Sequence, residues 1–147
     1  MNFTNLSGNF EYKPLIRVID DDDAVRRSWA FLLSGESYDV VTYADAGSFL
    51  ASSDFRRYGA ILLDVRMPNM SGLELQNRLK ELGCDLPIIF VSGHGDIDMA
   101  VNTLKNGAVD FLQKPVKDDR LLEVIDAAVA RNKAARRDQA EVADFKA

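Results

Sequence analysis

Four aspartates in a row, Asp20 to Asp23, cut off an apolar run in the segment LIRVIDDDDAVRRS. Like charges packed this closely repel one another, so either a solvated loop tolerates them or a cation offsets them. Three more residues able to do chemistry sit at the ends of similar runs: Asp64 closes AILLD, Ser92 closes PIIFVS, and Lys114 follows DFLQ. Three carboxylates at one point make a hard-oxygen pocket of the kind that takes Mg²⁺ together with waters and phosphate oxygens. A lysine across that pocket adds a second positive charge, and the Ser92 hydroxyl can donate to a phosphoryl oxygen. Asp64, alone at the end of its run, is placed to be a nucleophile, and carboxylates do form acyl phosphates by in-line attack. Each residue taken singly has a plainer explanation. Asp22 or Asp23 serves as a helix cap, an aspartate after a strand is usually a turn residue, Ser92 alone would be a cap or turn, and a lysine before proline is commonly a surface residue. The convergence of all of them favours the chemical reading, with Asp20 and Asp21 at a metal site and Asp22 and Asp23 opening a helix.

That convergence needs a fold that gathers strand ends. Five short apolar segments qualify as strands: Leu15–Asp20, Asp39–Tyr43, Ala60–Asp64, Ile88–Ser92 and Val109–Gln113. AILLD and PIIFVS are almost continuously apolar, as strands buried on both faces of a parallel sheet are. Helical patterns lie between and after them. Val25, Trp29, Leu32 and Leu33 share one helix face. Phe49 and Leu50 mark a short helix capped by Asp45. Leu75, Leu79 and Leu82 mark a third, stopped by Gly83, and Ile97, Ala100, Val101 and Leu104 a fourth, closed by Gly107. Leu121, Leu122, Ile125, Ala128 and Val129 mark the fifth. Strict β-α alternation predicts an α/β fold, a doubly wound five-stranded parallel sheet. Ligands bind such sheets outside the carboxyl ends of the strands. Four of the five expected strand ends deliver a charged or reactive group there, and the second delivers none.

The bulk properties set limits. At 147 residues the chain is about one domain and can bury a real core. A net charge of −5 argues against a broad basic face for nucleic acid. One cysteine, Cys84, excludes a disulfide framework and a cysteine-based zinc site and fits a reducing cytosol. The start, MNFTNLSGNFEYKP, lacks the basic and apolar regions of a signal peptide, and no apolar run nears the ~20 residues that span a bilayer. Residues 1–14 read as a flexible N-terminal extension, 15–131 as the folded domain, and 132–147 as a charged helical extension or linker.

The motifs VIDDDD, LLDVRMPNMSG, VSGHGD and DFLQKP together resemble the receiver domain of two-component response regulators, over roughly Leu15 to Arg131. The stretch MAVNTLKNGAVDFLQKP looks most like the FixJ-type branch, whose members usually carry a LuxR-type helix-turn-helix domain behind the receiver. The resemblance implies a flavodoxin-like (β/α)5 receiver fold, a Mg²⁺ cofactor and a cytoplasmic location. It makes Asp64 the phospho-acceptor, with Asp21, Asp64 and the backbone carbonyl of Arg66 as direct metal ligands and Asp20 acting through water. Lys114 would pair with the phosphoryl group, Ser92 and Phe111 would be the switch residues, and Pro115 would follow a cis peptide bond. Ser92 keeps the hydroxyl of the commoner threonine, while Phe111, lacking one, can signal only by packing. Arg66 and His94 stand at positions that tune loss of the phosphoryl group to water, though His94 also reads as an ordinary loop histidine. The implied partners are a sensor histidine kinase, a second copy on phosphorylation through the fourth helix and fifth strand, and DNA only through an output domain of roughly 60–70 residues beyond Ala147. No membrane and no enzyme turnover are expected beyond self-catalysed transfer to Asp64 and slow autodephosphorylation.

Other classes fit less well. Haloacid-dehalogenase phosphatases use DxDx[TV] after the first strand, which DDDAV at Asp21–Val25 matches, and Gly95-Asp96 echoes their last motif. That reading leaves DVRMPNMSG unexplained and puts the lysine in the wrong order. A flavodoxin-like electron carrier needs hydroxyl and amide donors after the first strand, where this chain has aspartates that repel phosphate. Turnover of a phosphate monoester, or a bound flavin, would revive these. A stand-alone receiver acting by protein contact is the closest rival to the transcriptional reading.

Overall fold

In the computed structural model, residues 13–52, 54–93 and 97–146 are described. His94 and residues 1–12 of the expected extension lie outside them. The apolar runs are strands: β1 (Leu15–Ile19), β2 (Asp39–Tyr43), β3 (Gly59–Asp64), β4 (Ile88–Ser92) and β5 (Asp110–Gln113). All pair in parallel in the order β2-β1-β3-β4-β5. The helices are α1 (Asp23–Ser34), α2 (Ala46–Ser52), α3 (Gly72–Glu81), α4 (Ile97–Lys105) and α5 (Asp118–Lys146).

Alternation along the strands feeds two cores. Ile16, Val18, Ala60, Leu62, Ile89 and Val91 pack against Trp29 and Leu33 of α1 and Leu121, Ile125 and Val129 of α5. Ile19, Ile61, Leu63 and Phe90 face the other way, against Phe49 of α2 and Leu75 and Leu79 of α3, with Met99 of α4 at the margin. The sheet is therefore doubly wound, as the β-α alternation predicts.

Three expectations need correction. Strand β1 ends at Ile19, so Asp20 is the first residue past it, and Val109 likewise precedes β5. Leu82 is the C-cap of α3 and is exposed, because the helix has turned its last apolar residue past the core. The apolar stripe of α4 does not face the core: Ile97 is 80% exposed, Val101 42% and Leu104 43%, while Thr103 is buried. Inward polar atoms are matched there, since the Thr103 hydroxyl donates to the Ala100 carbonyl (2.9 Å) and the buried Gln76 amide donates to the Thr103 carbonyl (3.0 Å).

Helix α5 continues far past the last strand, and its later turns are bonded to the amino edge of the sheet. The buried Asn132 accepts from the Gly59 N–H (2.9 Å), where an added Cβ would lie 1.9 Å from the Leu15 carbonyl oxygen. Arg136 grips Asp85 with two bonds, Nε to Oδ2 at 3.0 Å and Nη2 to Oδ1 at 2.8 Å, and donates to the Phe55 and Arg56 carbonyls. From inside the domain, the fully buried Arg17 donates to the Asp54, Arg57 and Leu15 carbonyls. Two guanidinium groups thus satisfy four consecutive loop carbonyls, 54 to 57, that no strand pairs with. Burial alone would raise the Asp85 carboxyl, but Arg136 holds it below the usual carboxylate range. Because Arg136 is largely enclosed and joined by charge-assisted bonds, Arg136→Ala should lower stability by about 1–3 kcal/mol. Urea denaturation checks this; a midpoint equal to wild type would show that the helix end is held by something else.

Candidate functional site

The strand register sets the site. Ile19 pairs with Leu63, so Asp20 and Asp64 leave neighbouring strands at the same level, and on the far side Ser92 pairs with Gln113, so Lys114 leaves β5 one residue beyond the level of Ser92. Carboxylate oxygens of Asp20, Asp21 and Asp64 lie within 4.8 Å of one another; Asp20 and Asp64 are buried and Asp21 is exposed. Asp22 is the N-cap of α1, its carboxylate accepting from the Ala24 and Val25 N–H groups, and Asp23 is the first helical residue. The four-aspartate run thus divides into two site residues and two helix-start residues.

Both carboxylate oxygens of Asp20 have partners. Oδ1 accepts the Asp22 N–H at 2.9 Å, and Oδ2 accepts the Lys114 ammonium at 2.7 Å. Lys114 Nζ lies 3.6 Å from Asp64 Oδ1 and 5.7 Å from the centre of the Trp29 ring. Burial alone would lower the Lys114 ammonium, but its bond to Asp20 and the nearby Asp64 hold it above its ordinary value. The Lys114–Pro115 peptide is cis. Ser92 is buried at the end of β4, and its carbonyl accepts the Lys114 N–H at 2.8 Å. Phe111 is half-buried and stacks on Phe90, with ring centres 6.2 Å apart. Arg66 is exposed on the loop after Asp64 and, with Asp21, Val65, Met67, Ser71 and Met99, lines an open cleft of about 490 Å³.

The loop carrying Arg66 is held close to the acceptor by Gly72. A Cβ there would lie 2.3 Å from the Asp64 carbonyl oxygen, so only glycine lets α3 start this near the strand end. Its N–H donates to the Val65 carbonyl at 2.8 Å, and Ser71 caps the helix by accepting from the Glu74 N–H.

Two contributors were not singled out by the pattern of strand ends. Arg26 donates from Nη1 to the Asp20 carbonyl at 2.7 Å, and Trp29 underlies Lys114. Their helical spacing holds the signal: Asp22, Arg26 and Trp29 follow one another at i, i+4 and i+7, a stripe that starts at the acidic cluster.

Burial, and then the Asp20 charge, push the Asp64 carboxyl up to about 6, with Lys114 pulling the other way. Folding therefore favours the protonated form of Asp64. Its charge costs nothing below about pH 4, costs progressively more as pH rises through about 6, and costs the full amount above that. Asp64→Asn should stabilise the metal-free protein by about 1–3 kcal/mol near neutral pH, with the gain vanishing near pH 4. Urea denaturation in a chelator at the two pH values measures this, and an equal gain at both would contradict it.

The sequence and the fold are similar to those of known proteins. Residues 16–126 match the family model of the response regulator receiver domain. The transcriptional regulatory protein FixJ of Bradyrhizobium diazoefficiens is 42% identical over 90% of this chain and 64% of its own length. The response regulator protein TodT of Pseudomonas putida is 43% identical over 90% of this chain and 58% of its own length. The chain thus spans about three-fifths of the curated relatives it matches. The solved structure of the response regulator StyR superposes with a TM-score of 0.82 at 40% identity, covering 90% of this chain and 67% of that one. With the same sheet, an acidic cluster at its carboxyl edge and this degree of identity, the chain belongs to the receiver domains of two-component response regulators.

Proposed function

We propose that Asp64 accepts a phosphoryl group from a phosphohistidine on a sensor histidine kinase, and that the acyl phosphate switches a transcriptional output in the cytoplasm. The observation that carries this is the carboxylate of Asp64, buried at a strand end within reach of Lys114 and inside the acidic trio. In the transfer an Asp64 oxygen bonds to phosphorus as the P–N bond to the donor imidazole breaks. The electron pair leaves with the ring, which takes a proton from water. With its carboxyl at about 6, Asp64 is mostly ionised at neutral pH, Lys114 opposing the burial and the Asp20 charge that favour the protonated form, and the ammonium then faces the incoming oxygens. The cleft beside Asp21, walled by Val65, Met67 and Met99, offers a flat donor ring an apolar surface.

The donor set fits Mg²⁺, because three carboxylates converge with one side open to water. Asp21, Asp64 and the Arg66 carbonyl would hold it directly. Asp20 would act through water, a role supported by the commitment of both its oxygens to Lys114 and the Asp22 N–H. When bound, the ion supplies positive charge to the oxygens of the transferring group. Asp20 holds the Lys114 ammonium charged and beside the acceptor.

The protein turns over only its own acyl phosphate, by slow hydrolysis, and is otherwise not an enzyme. The phosphoryl group adds about −1.5 to −2 charge. Ser92 and Lys114 are drawn toward it, and Phe111 repacks against Phe90, favouring a minor state already present. The exposed apolar stripe Ile97, Val101 and Leu104 on α4 supports pairing of two copies through α4 and β5. Pairing would bring two DNA-binding output parts to paired half-sites, a reading that the names of the regulatory relatives favour. A cytoplasmic location is in keeping with the described helices, none of which is long and apolar enough to cross a membrane.

Acetyl phosphate with Mg²⁺ should add one base-labile phosphoryl group, detected by intact mass, and Asp64→Asn should take none. Full labelling of that variant would refute the assignment. Mg²⁺ at about ten times its Kd should stabilise the protein by about 1.4 kcal/mol. That shift should shrink in Asp21→Asn, and an unchanged thermal response would remove Asp21 from the metal site. A beryllofluoride phosphoryl mimic should raise the sedimenting mass toward a dimer, an effect that Val101→Asp should suppress.

A further inference from the structure

We infer that Trp29 is a positioning residue for phosphoryl transfer, its indole face holding the Lys114 ammonium against the acceptor. The inference rests on the acceptor reading of Asp64. Lys114 Nζ sits 5.7 Å from the ring centre, inside the roughly 6 Å over which a cation is drawn to an aromatic face. Trp29 is only 9% exposed, so its ring closes that side of the lysine to water. The ammonium is thereby bounded by Asp20 at 2.7 Å, Asp64 at 3.6 Å and the indole. A lysine is a flexible four-carbon tether with three rotatable donors, and its charge is not placed by its backbone alone. The bond to Asp20 fixes one donor, and the ring face limits where the others can point.

Trp29 has the rigidity for this. It lies on α1 between Val25 and Leu33 and is packed into the core that α1 shares with α5, which includes Leu121 and Val124. The core alone would accept an aliphatic residue at this position. An indole adds a negative ring face, and tryptophan presents the strongest such face of the aromatic side chains. The ammonium is then in place before charge develops on the transferring oxygens, so no reorganisation is needed as they arrive.

Trp29 is the single tryptophan of the chain, so indole emission reports this ring alone. Two measurements test the inference. The first is the initial rate of labelling by acetyl phosphate at saturating Mg²⁺ in wild type, Trp29→Phe and Trp29→Leu. We expect Leu to slow labelling about 5- to 10-fold and Phe to stay within about threefold of wild type. Leu as fast as wild type, or Phe as slow as Leu, would overturn the inference, since a purely packing role does not distinguish a ring from an aliphatic in this order. The second is the emission of the metal-free protein against Lys114→Met. An ammonium on the ring face is a proton donor that quenches excited indole, so the variant should be brighter, and identical emission would overturn the inference without any phosphorylation assay. Failure of wild type to label at all would count against the acceptor reading instead, and the emission comparison would still decide whether ring and ammonium meet.

Discussion

Asp20 has no exposure to solvent, yet it stands within 4.8 Å of two other carboxylates. A charge in that position persists only with a partner, because desolvation and repulsion both work against it. Its partner is the Lys114 ammonium at 2.7 Å, helped by the Asp22 N–H. Strands β3 and β4 lie between the strands that carry these two residues. The ion pair can form only if β1, β3, β4 and β5 are in register and the turn after β5 folds back over their ends. The remaining geometry of the site follows from it. Asp64 is left beside a lysine already committed to Asp20, Asp21 is left open to water, and the pocket keeps net negative charge that suits a divalent cation.

The opposite edge of the sheet has a different character. There Arg17, Asn132 and Arg136 meet loop carbonyls and the Gly59 N–H, so strand starts, the loop of residues 54–57 and the later turns of α5 are tied together. Burial, and then the nearby Arg136, bring the Arg17 guanidinium down to about 10, which leaves it charged at neutral pH. The molecule thus gathers an excess of carboxylates at the carboxyl edge and ties loop backbone to arginine and asparagine side chains at the amino edge.

Helix α4 is the element that departs from the pattern of its neighbours. Helices α1 and α5 turn their apolar stripes inward, as Leu33 and Ile125 show. Helix α4 turns Thr103 inward and Ile97, Val101 and Leu104 outward. It is held by Met99 and by the Gln76 amide on the Thr103 carbonyl more than by a large apolar contact. It packs on β5, the strand that carries Phe111, the aromatic that stacks on Phe90.

Much of this is legible in the residue order. Strands such as AILLD and PIIFVS are apolar on both faces, which requires helices on both sides and hence a parallel doubly wound sheet. The turn chemistry is local too: Asp22 caps α1, Gly83 and Gly107 take positive φ after α3 and α4, and Gly72 permits the close approach at Asp64. Residue types at strand ends could therefore nominate Asp20, Asp21, Asp64, Ser92 and Lys114. The sequence could not say which way α4 faces, because an apolar stripe at helical spacing is the same whether a core or solvent meets it. Nor could it say that the Trp29 ring lies under Lys114, or that Arg17 and Arg136 reach carbonyls of one loop. Those contacts join residues 37 to 85 positions apart. They depend on side-chain reach across several elements at once, and only the folded arrangement sets those distances.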